Sequence, residues 1–223
     1  MRRPPPPVAI ALVVALGACG GGDGGGEEPG GGGAASAGCK EVDQPQPRDV
    51  AAQSRPRRRL DSRVTYRVTV VTSCGALIIR LDPGRSPRAT ASFVSLARKS
   101  FYDGTPFHRI VPRWVIQGGD PTGTGAGGPG YSTRDLPASD TTYPRGTVAM
   151  AKAATDPPGT AGSQFFVVVG RKVKLHPEYA VIGRVVKGMR VADAISDLGD
   201  EESGEQGTPL RPVVIERTGV DAS

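Results

Sequence analysis

The sequence predicts a mainly β fold, a barrel or sandwich with two helices at its periphery. Three observations carry this. Short runs rich in β-branched residues recur from Leu60 onward and are separated by turn residues. Only two segments change to helical spacing. Gly and Pro are abundant, at 32 and 21 residues, but Gly20–Gly38 holds much of the Gly excess, so the remainder can build a core.

The elements follow in order. Tyr66–Val71 (YRVTVV) and Ala76–Leu81 (ALIIRL) flank Thr72-Ser73-Cys74-Gly75 and read as a hairpin. Asp82-Pro83-Gly84 is a turn. Ser86 stands as N-cap and Pro87 as the first residue of a helix over Pro87–Lys99. Ala89, Phe93, Leu96 and Ala97 give that helix one apolar face. Further apolar runs lie at Phe107–Val111, Trp114–Gln117, Thr147–Ala151, Gln164–Val169, Tyr179–Val185 and Pro212–Glu216. Val191, Ala194, Ile195 and Leu198 predict a second helix over Met189–Leu198. The count is about eight strands and two helices, with no internal repeat.

The first residues read as an address. Arg2 and Arg3 precede the apolar run Val8–Leu16, which is too short to span a bilayer, a task for about 20 apolar residues. Leu16-Gly17-Ala18-Cys19 resembles the lipobox of bacterial lipoprotein signals, which implies lipidation at Cys19 after removal of residues 1–18. Residues 19–59 then form a flexible Gly-rich and basic tether, and residues 60–223 form the folded domain. This arrangement predicts an exported protein held by its lipid at the extracytoplasmic face of the cell membrane. The net charge is +6, and Arg55, Arg57, Arg58 and Arg59 cluster in the tether. No aromatic residue interleaves with them, so the cluster reads as a solvated linker and no nucleic-acid partner is expected.

The domain excludes several chemistries. The three cysteines lack CxxC spacing, there are only two histidines, and no G-x-S-x-G elbow occurs. The Gly-rich stretch Gly123–Gly130 lacks the Lys-Ser/Thr of a P-loop. No metal or other cofactor is expected. What stands out is Arg109 inside the apolar run FHRI, with Gln117 and Gln164 beside other apolar runs and Trp114, Phe166 and Leu175 nearby. A guanidinium inside an apolar strand needs a partner or a ligand. Hydrogen-bond donors beside an apolar surface suit a peptide. Phe107 and His108 read as packing residues, Gly118-Gly119-Asp120 as a structural turn, and Phe165 as facing the interior, opposite Phe166.

The segment FHRIVPRWVIQGGDPTGTGAGGPGY (Phe107–Tyr131), then MAKA (Met150–Ala153), GSQFFVVVG (Gly162–Gly170) and YAVIGRVVKGM (Tyr179–Met189), resembles the cyclophilin family in the same order. The resemblance covers roughly Thr65 to Gly219. It implies a closed eight-stranded antiparallel barrel capped by two helices, and peptidyl-prolyl cis-trans isomerase activity on proline-containing segments of unfolded or exported proteins, without a cofactor. By position it implies Arg109 as the catalytic arginine and Gln117 as the glutamine that supports it and holds substrate backbone. It places Trp114, Val115, Phe166, Leu175 and Tyr179 around the proline ring. Ala151 and Lys152 fall on the edge that pairs with substrate, and Gln164 and Gly125 beside the pocket, the last after shortening the loop by one residue. With Cys19 lipidated, Cys39 and Cys74 remain either as free thiols or as a disulfide closing a loop of about 35 residues. A monomer is expected. Two other readings stay open: a non-catalytic proline-peptide-binding chaperone, and a surface lipoprotein whose basic tether binds anionic envelope polymers.

Overall fold

The structure, a computed structural model, describes residues 38–223. The expected signal peptide and Cys19 lie outside the described residues. Among the described residues no helix is long and apolar enough to cross a membrane.

Among the described residues, eleven strands and two α-helices follow one another. They are β1 (Tyr66–Thr72), β2 (Gly75–Leu81), α1 (Pro87–Arg98), β3 (Thr105–Pro106), β4 (Arg109–Val111), β5 (Val115–Gly118) and β6 (Thr133–Arg134). β7 (Thr147–Met150), β8 (Thr160–Ala161), β9 (Phe165–Val168), β10 (Val181–Lys187), α2 (Met189–Ser196) and β11 (Val214–Ala222) complete the series, with a 3-10 turn at Glu201–Gln206 before β11. Nine strands form one curled antiparallel sheet in the order β3-β11-β1-β2-β10-β7-β9-β5-β4, and β6 pairs with β8 in a separate ribbon.

The sheet differs from the expected closed eight-stranded barrel. The sheet has nine strands, and β3 and β4 are its two edges. Only Phe107 and His108 separate these edges in sequence, so the chain itself brings them close, yet they are not paired with each other. Pro106 in β3 has no N–H to give to a ladder. The amides on either side instead satisfy themselves elsewhere, Phe107 on the Val213 carbonyl (2.8 Å) and Ile110 on the Gly207 carbonyl (2.7 Å).

Strand alternation divides the apolar residues into two sets. Ile110, Ile116, Phe165, Val167, Val148 and Met150 point inward with Phe93 and Leu96 of α1 and Ile195 of α2 into the main core. Phe165 stands edge-on to Phe93, Tyr102 and Phe107, at centroid distances of 5.3, 5.7 and 6.2 Å. Burying each such side chain contributes about 1.5–3 kcal/mol. The alternate residues Val115, Phe166, Val168, Ala149 and Val181 point outward into a second cluster, covered by Trp114, Leu175 and Tyr179. Gly183 lets β10 lie close to β2, because a side chain there would run into the Arg80 carbonyl.

Two local expectations change. Ser86 precedes α1 and Pro87 opens it, but the Ser86 side chain makes no cap bond. The buried Asp135 carboxylate accepts from the Arg88 and Ala89 amides instead, at 2.8 and 2.7 Å. The second change concerns the tether. Residues 38–59 do not hang free; they run along the domain as a strap without helix or strand, secured by a Cys39–Cys74 disulfide and by backbone hydrogen bonds. Its Gln, Pro and Arg content resembles a linker, yet its Lys40, Arg48 and Gln53 amides find acceptors on the domain, which offsets part of the entropy of ordering it.

Candidate active site

The pairing register builds the site. Arg109 on β4 lies opposite Gln117 on β5, Gln117 lies opposite Phe166 on β9, and Phe166 lies opposite Ala149 on β7. One row across four strands therefore carries a guanidinium, an amide and an aromatic ring on the outward face. Two residues along, Val111, Val115 and Val168 form the next row of the same face.

Arg109 is held from three sides. Its Nη1 donates to Gln117 Oε1 at 3.3 Å, and its Nε and Nη2 both donate to the Glu205 carbonyl, at 3.0 and 2.8 Å. Its Cζ lies 5.1 Å from the Trp114 ring centre, within cation–π range. Burial pulls its pKa below the ordinary value, an effect opposed by the neighbouring Glu205 carboxylate. Gln117 Nε2 donates to Gln164 Oε1 at 3.0 Å, and Gln164 Nε2 donates to the Gly125 and Gly127 carbonyls at 2.8 and 3.0 Å. A relay of side-chain amides thus runs from a glycine loop to the guanidinium.

That loop is organised by Asp120. Its carboxylate accepts from the Thr122 amide and hydroxyl, and from the Gly125 and Gly127 amides, at 2.7–3.0 Å. Burial alone would raise the Asp120 pKa, but these hydrogen bonds outweigh it and hold the carboxyl below its usual range.

Every residue that the sequence marks for the site lines one of two adjoining clefts. The first, about 430 Å³, is bounded by Arg109, Trp114, Val115, Gln117, Phe166, Leu175 and Tyr179. Its floor is the outward apolar cluster, and Phe166 and Tyr179 meet edge-on at 5.3 Å. The second, also about 430 Å³, contains Gly125 and Gln164 and shares Gln117, Ala151 and Lys152 with the first. A roomier cleft of about 570 Å³ at Arg85, Asp140 and Arg184 shares none of these residues and has no aromatic wall.

Several contributors carry no signal in the sequence. Tyr143 fixes Tyr179, its hydroxyl donating to the Tyr179 carbonyl and accepting from the Tyr179 amide, both at 3.0 Å. Glu178 draws the Lys152 ammonium to 3.1 Å, which buries the lysine stem between the clefts and sets the ammonium 5.9 Å from the Tyr179 ring centre. The Glu205 carbonyl is a backbone group that any residue would provide. His108 stays outside the clefts that Arg109 and Gln164 line, beneath Gly125.

A curled antiparallel sheet with an arginine, a glutamine and an aromatic-walled cleft on its outer face defines a class, and comparison with known sequences agrees. Residues 67–220 match the family model described as cyclophilin type peptidyl-prolyl cis-trans isomerase/CLD. The chain belongs to this family and is a cyclophilin-type peptidyl-prolyl cis-trans isomerase.

Its relatives span bacteria and eukaryotes. It is 37% identical over 170 residues to peptidyl-prolyl cis-trans isomerase A of Mycobacterium tuberculosis, covering 68% of this chain and 90% of that protein. It is 37% identical over 157 residues to the Arabidopsis thaliana isomerase CYP18-2, covering 69% of this chain and 92% of the relative. The crystal structure of a Cryptosporidium parvum cyclophilin type isomerase superposes with a TM-score of 0.63 at 29% identity, covering 71% of this chain and 99% of that one.

Proposed function

We propose that the isomerase acts on proline-containing segments of exported proteins at the cell envelope, as a monomer held to the membrane through lipid on Cys19, with Arg109 as its catalytic residue. The observation that carries the site assignment is the placement of the Arg109 guanidinium beside an apolar, aromatic-walled cleft, oriented by Gln117 and the Glu205 carbonyl. The Cryptosporidium parvum relative has also been crystallised in the presence of the dipeptide Ala-Pro.

The chemistry needs no covalent step. The planar peptide bond resists rotation by about 18–20 kcal/mol because of its double-bond character. Catalysis requires tighter binding of the twisted amide than of the planar one. As the bond twists, the prolyl nitrogen becomes pyramidal and gains a lone pair. Arg109 donates a hydrogen bond to that lone pair from a guanidinium that Gln117 and Glu205 already hold, so little reorganisation is required. Phe166, Leu175, Trp114, Val115 and Tyr179 clasp the ring. Gln117 receives the backbone beside it, and the edge at Ala151 and Lys152, with Gly125 and Gln164, receives the residues before proline. The complete cleft within one chain supports monomeric action.

The envelope reading rests on the signal-like Arg2–Cys19 segment and on the Cys39–Cys74 disulfide, which suits an oxidising compartment. A protease-coupled isomerisation assay on an Ala-Pro peptide, run beside a binding titration of the same peptide, tests the catalytic role. Turnover with binding is expected. Binding without acceleration would favour the chaperone reading.

A further inference from the structure

The strap from Cys39 to Leu60 lies outside the matched family region, which begins at residue 67. Its exposure repeats every third residue: Cys39, Val42, Pro45 and Arg48 turn toward the domain, and after one step of two, Val50, Gln53 and Pro56 do the same. Three residues per turn is the repeat of a polyproline II chain, which leaves its amides free to bond elsewhere. Two of them bond to one loop. The Arg48 amide donates to the Pro121 carbonyl at 3.0 Å, and the Gln53 amide donates to the Pro129 carbonyl at 2.8 Å. Beside the second bond, Ala52 packs so closely on Gly130 that a Cβ there would lie 2.7 Å from the Ala52 methyl. Arg48 also donates through Nη2 to the Phe101 carbonyl at 3.1 Å.

Pro121 and Pro129 bracket the loop Thr122–Gly128, which contains Gly123, Gly125, Gly127 and Gly128. Such a loop is costly to hold in one conformation. Its Gly125 and Gly127 carbonyls are the acceptors that fix Gln164, and through Gln164 and Gln117 they reach Arg109. The strap therefore grips both ends of the segment from which the relay starts, and the disulfide at Cys39 fixes the strap's own beginning.

We propose that the strap is a positioning element of the isomerase: its Arg48 and Gln53 amides brace the glycine loop, and the loop registers Gln164, Gln117 and Arg109 for the twisted amide. This rests on the assignment of Arg109 given under Proposed function. Arg48 and Gln53 are positioning residues, since neither lines the clefts.

The test uses the full chain with proline substitutions, which suit a polyproline II backbone and delete the Gln53 amide donor together with the local bond from Gln53 Nε2 to the Ala51 carbonyl within the strap. Gln53→Pro and the double variant Arg48→Pro/Gln53→Pro are compared with Gln46→Pro, an exposed strap residue whose amide bonds to nothing among the described residues. The readouts are kcat and KM in the isomerisation assay, amide exchange over residues 121–130, and fluorescence of Trp114, the only tryptophan and the ring under Arg109. In the double variant kcat should fall about tenfold with KM nearly constant, as small misplacement of a catalytic group produces. Loop exchange should quicken and Trp114 emission should shift, while Gln46→Pro changes none of these. Faster loop exchange with unchanged kcat and unchanged Trp114 emission would overturn the brace, as would a loss confined to KM. If the double variant unfolds, Gln53→Pro alone decides on the same readouts. An inactive wild type would overturn the isomerase assignment instead, and Trp114 emission with loop exchange would still decide the brace.

Discussion

Replacing Arg109 by Lys keeps a positive charge and removes the fork. In the native site three guanidinium nitrogens are committed at once, Nη1 to Gln117 and Nε with Nη2 to the Glu205 carbonyl, while the planar group lies over Trp114. A lysine ammonium is a single point on a flexible stem and cannot hold both anchors while also facing the prolyl nitrogen. The expected loss is that of one preorganised donor to a developing lone pair, about 2.7–4 kcal/mol or roughly 10²–10³ in kcat. KM should change little, because the apolar cleft that binds the planar ring survives. Arg109→Ala should lose at least as much. The assay is protease-coupled isomerisation of an Ala-Pro peptide, with folding checked by near-ultraviolet circular dichroism. Turnover within threefold of wild type in Arg109→Lys would refute the argument that the held fork, rather than charge alone, stabilises the twisted amide.

Three other outcomes are expected, two from the structure and one from the sequence of the first residues. Asp135→Ala should cost about 0.5–2 kcal/mol in urea unfolding, the usual worth of a helix cap, with isomerase activity unchanged; no loss of stability would mean that Asp135 does not cap α1. Because the folded Asp120 carboxyl sits below its ordinary value, its stabilising effect is full above the unfolded pKa and fades only as pH falls through the lower folded value. Activity should thus stay level from pH 7 down to about pH 5, whereas a loss in that window that Asp120→Asn abolishes would contradict it. Cys19→Ala should leave the detergent phase and appear soluble or unprocessed, and unchanged partitioning would rule out a lipid anchor at that residue.

Regular spacing made much of the fold legible. The β1–β2 hairpin, α1 and α2 announce themselves through alternation or helical repeats that survive without knowledge of neighbours. β3, β6 and β8 do not, because two residues carry no period. β11 runs on to Ala222, beyond its apolar start, because its polar residues pair with β1 through backbone atoms alone. At the site, Arg109, Gln117 and Phe166 could be picked out because charge and amide interrupt apolar runs. Asp135 could not, as it caps a helix 47 residues away in sequence. The strap looked like a linker because its contacts recur every third residue, a repeat matched by neither strand nor helix templates.

The sheet's edges have a bearing on how the protein meets proline-containing peptides. An open sheet normally offers unpaired amides and carbonyls along its rim, a template onto which a stray extended chain can add. Here one rim is two residues long and half proline, and the other is three residues long, with the Ile110 amide already spent on the Gly207 carbonyl. An isomerase whose substrates are proline-containing peptides is thereby denied a second, indiscriminate way of holding them, and the same short rims offer little template for pairing between copies.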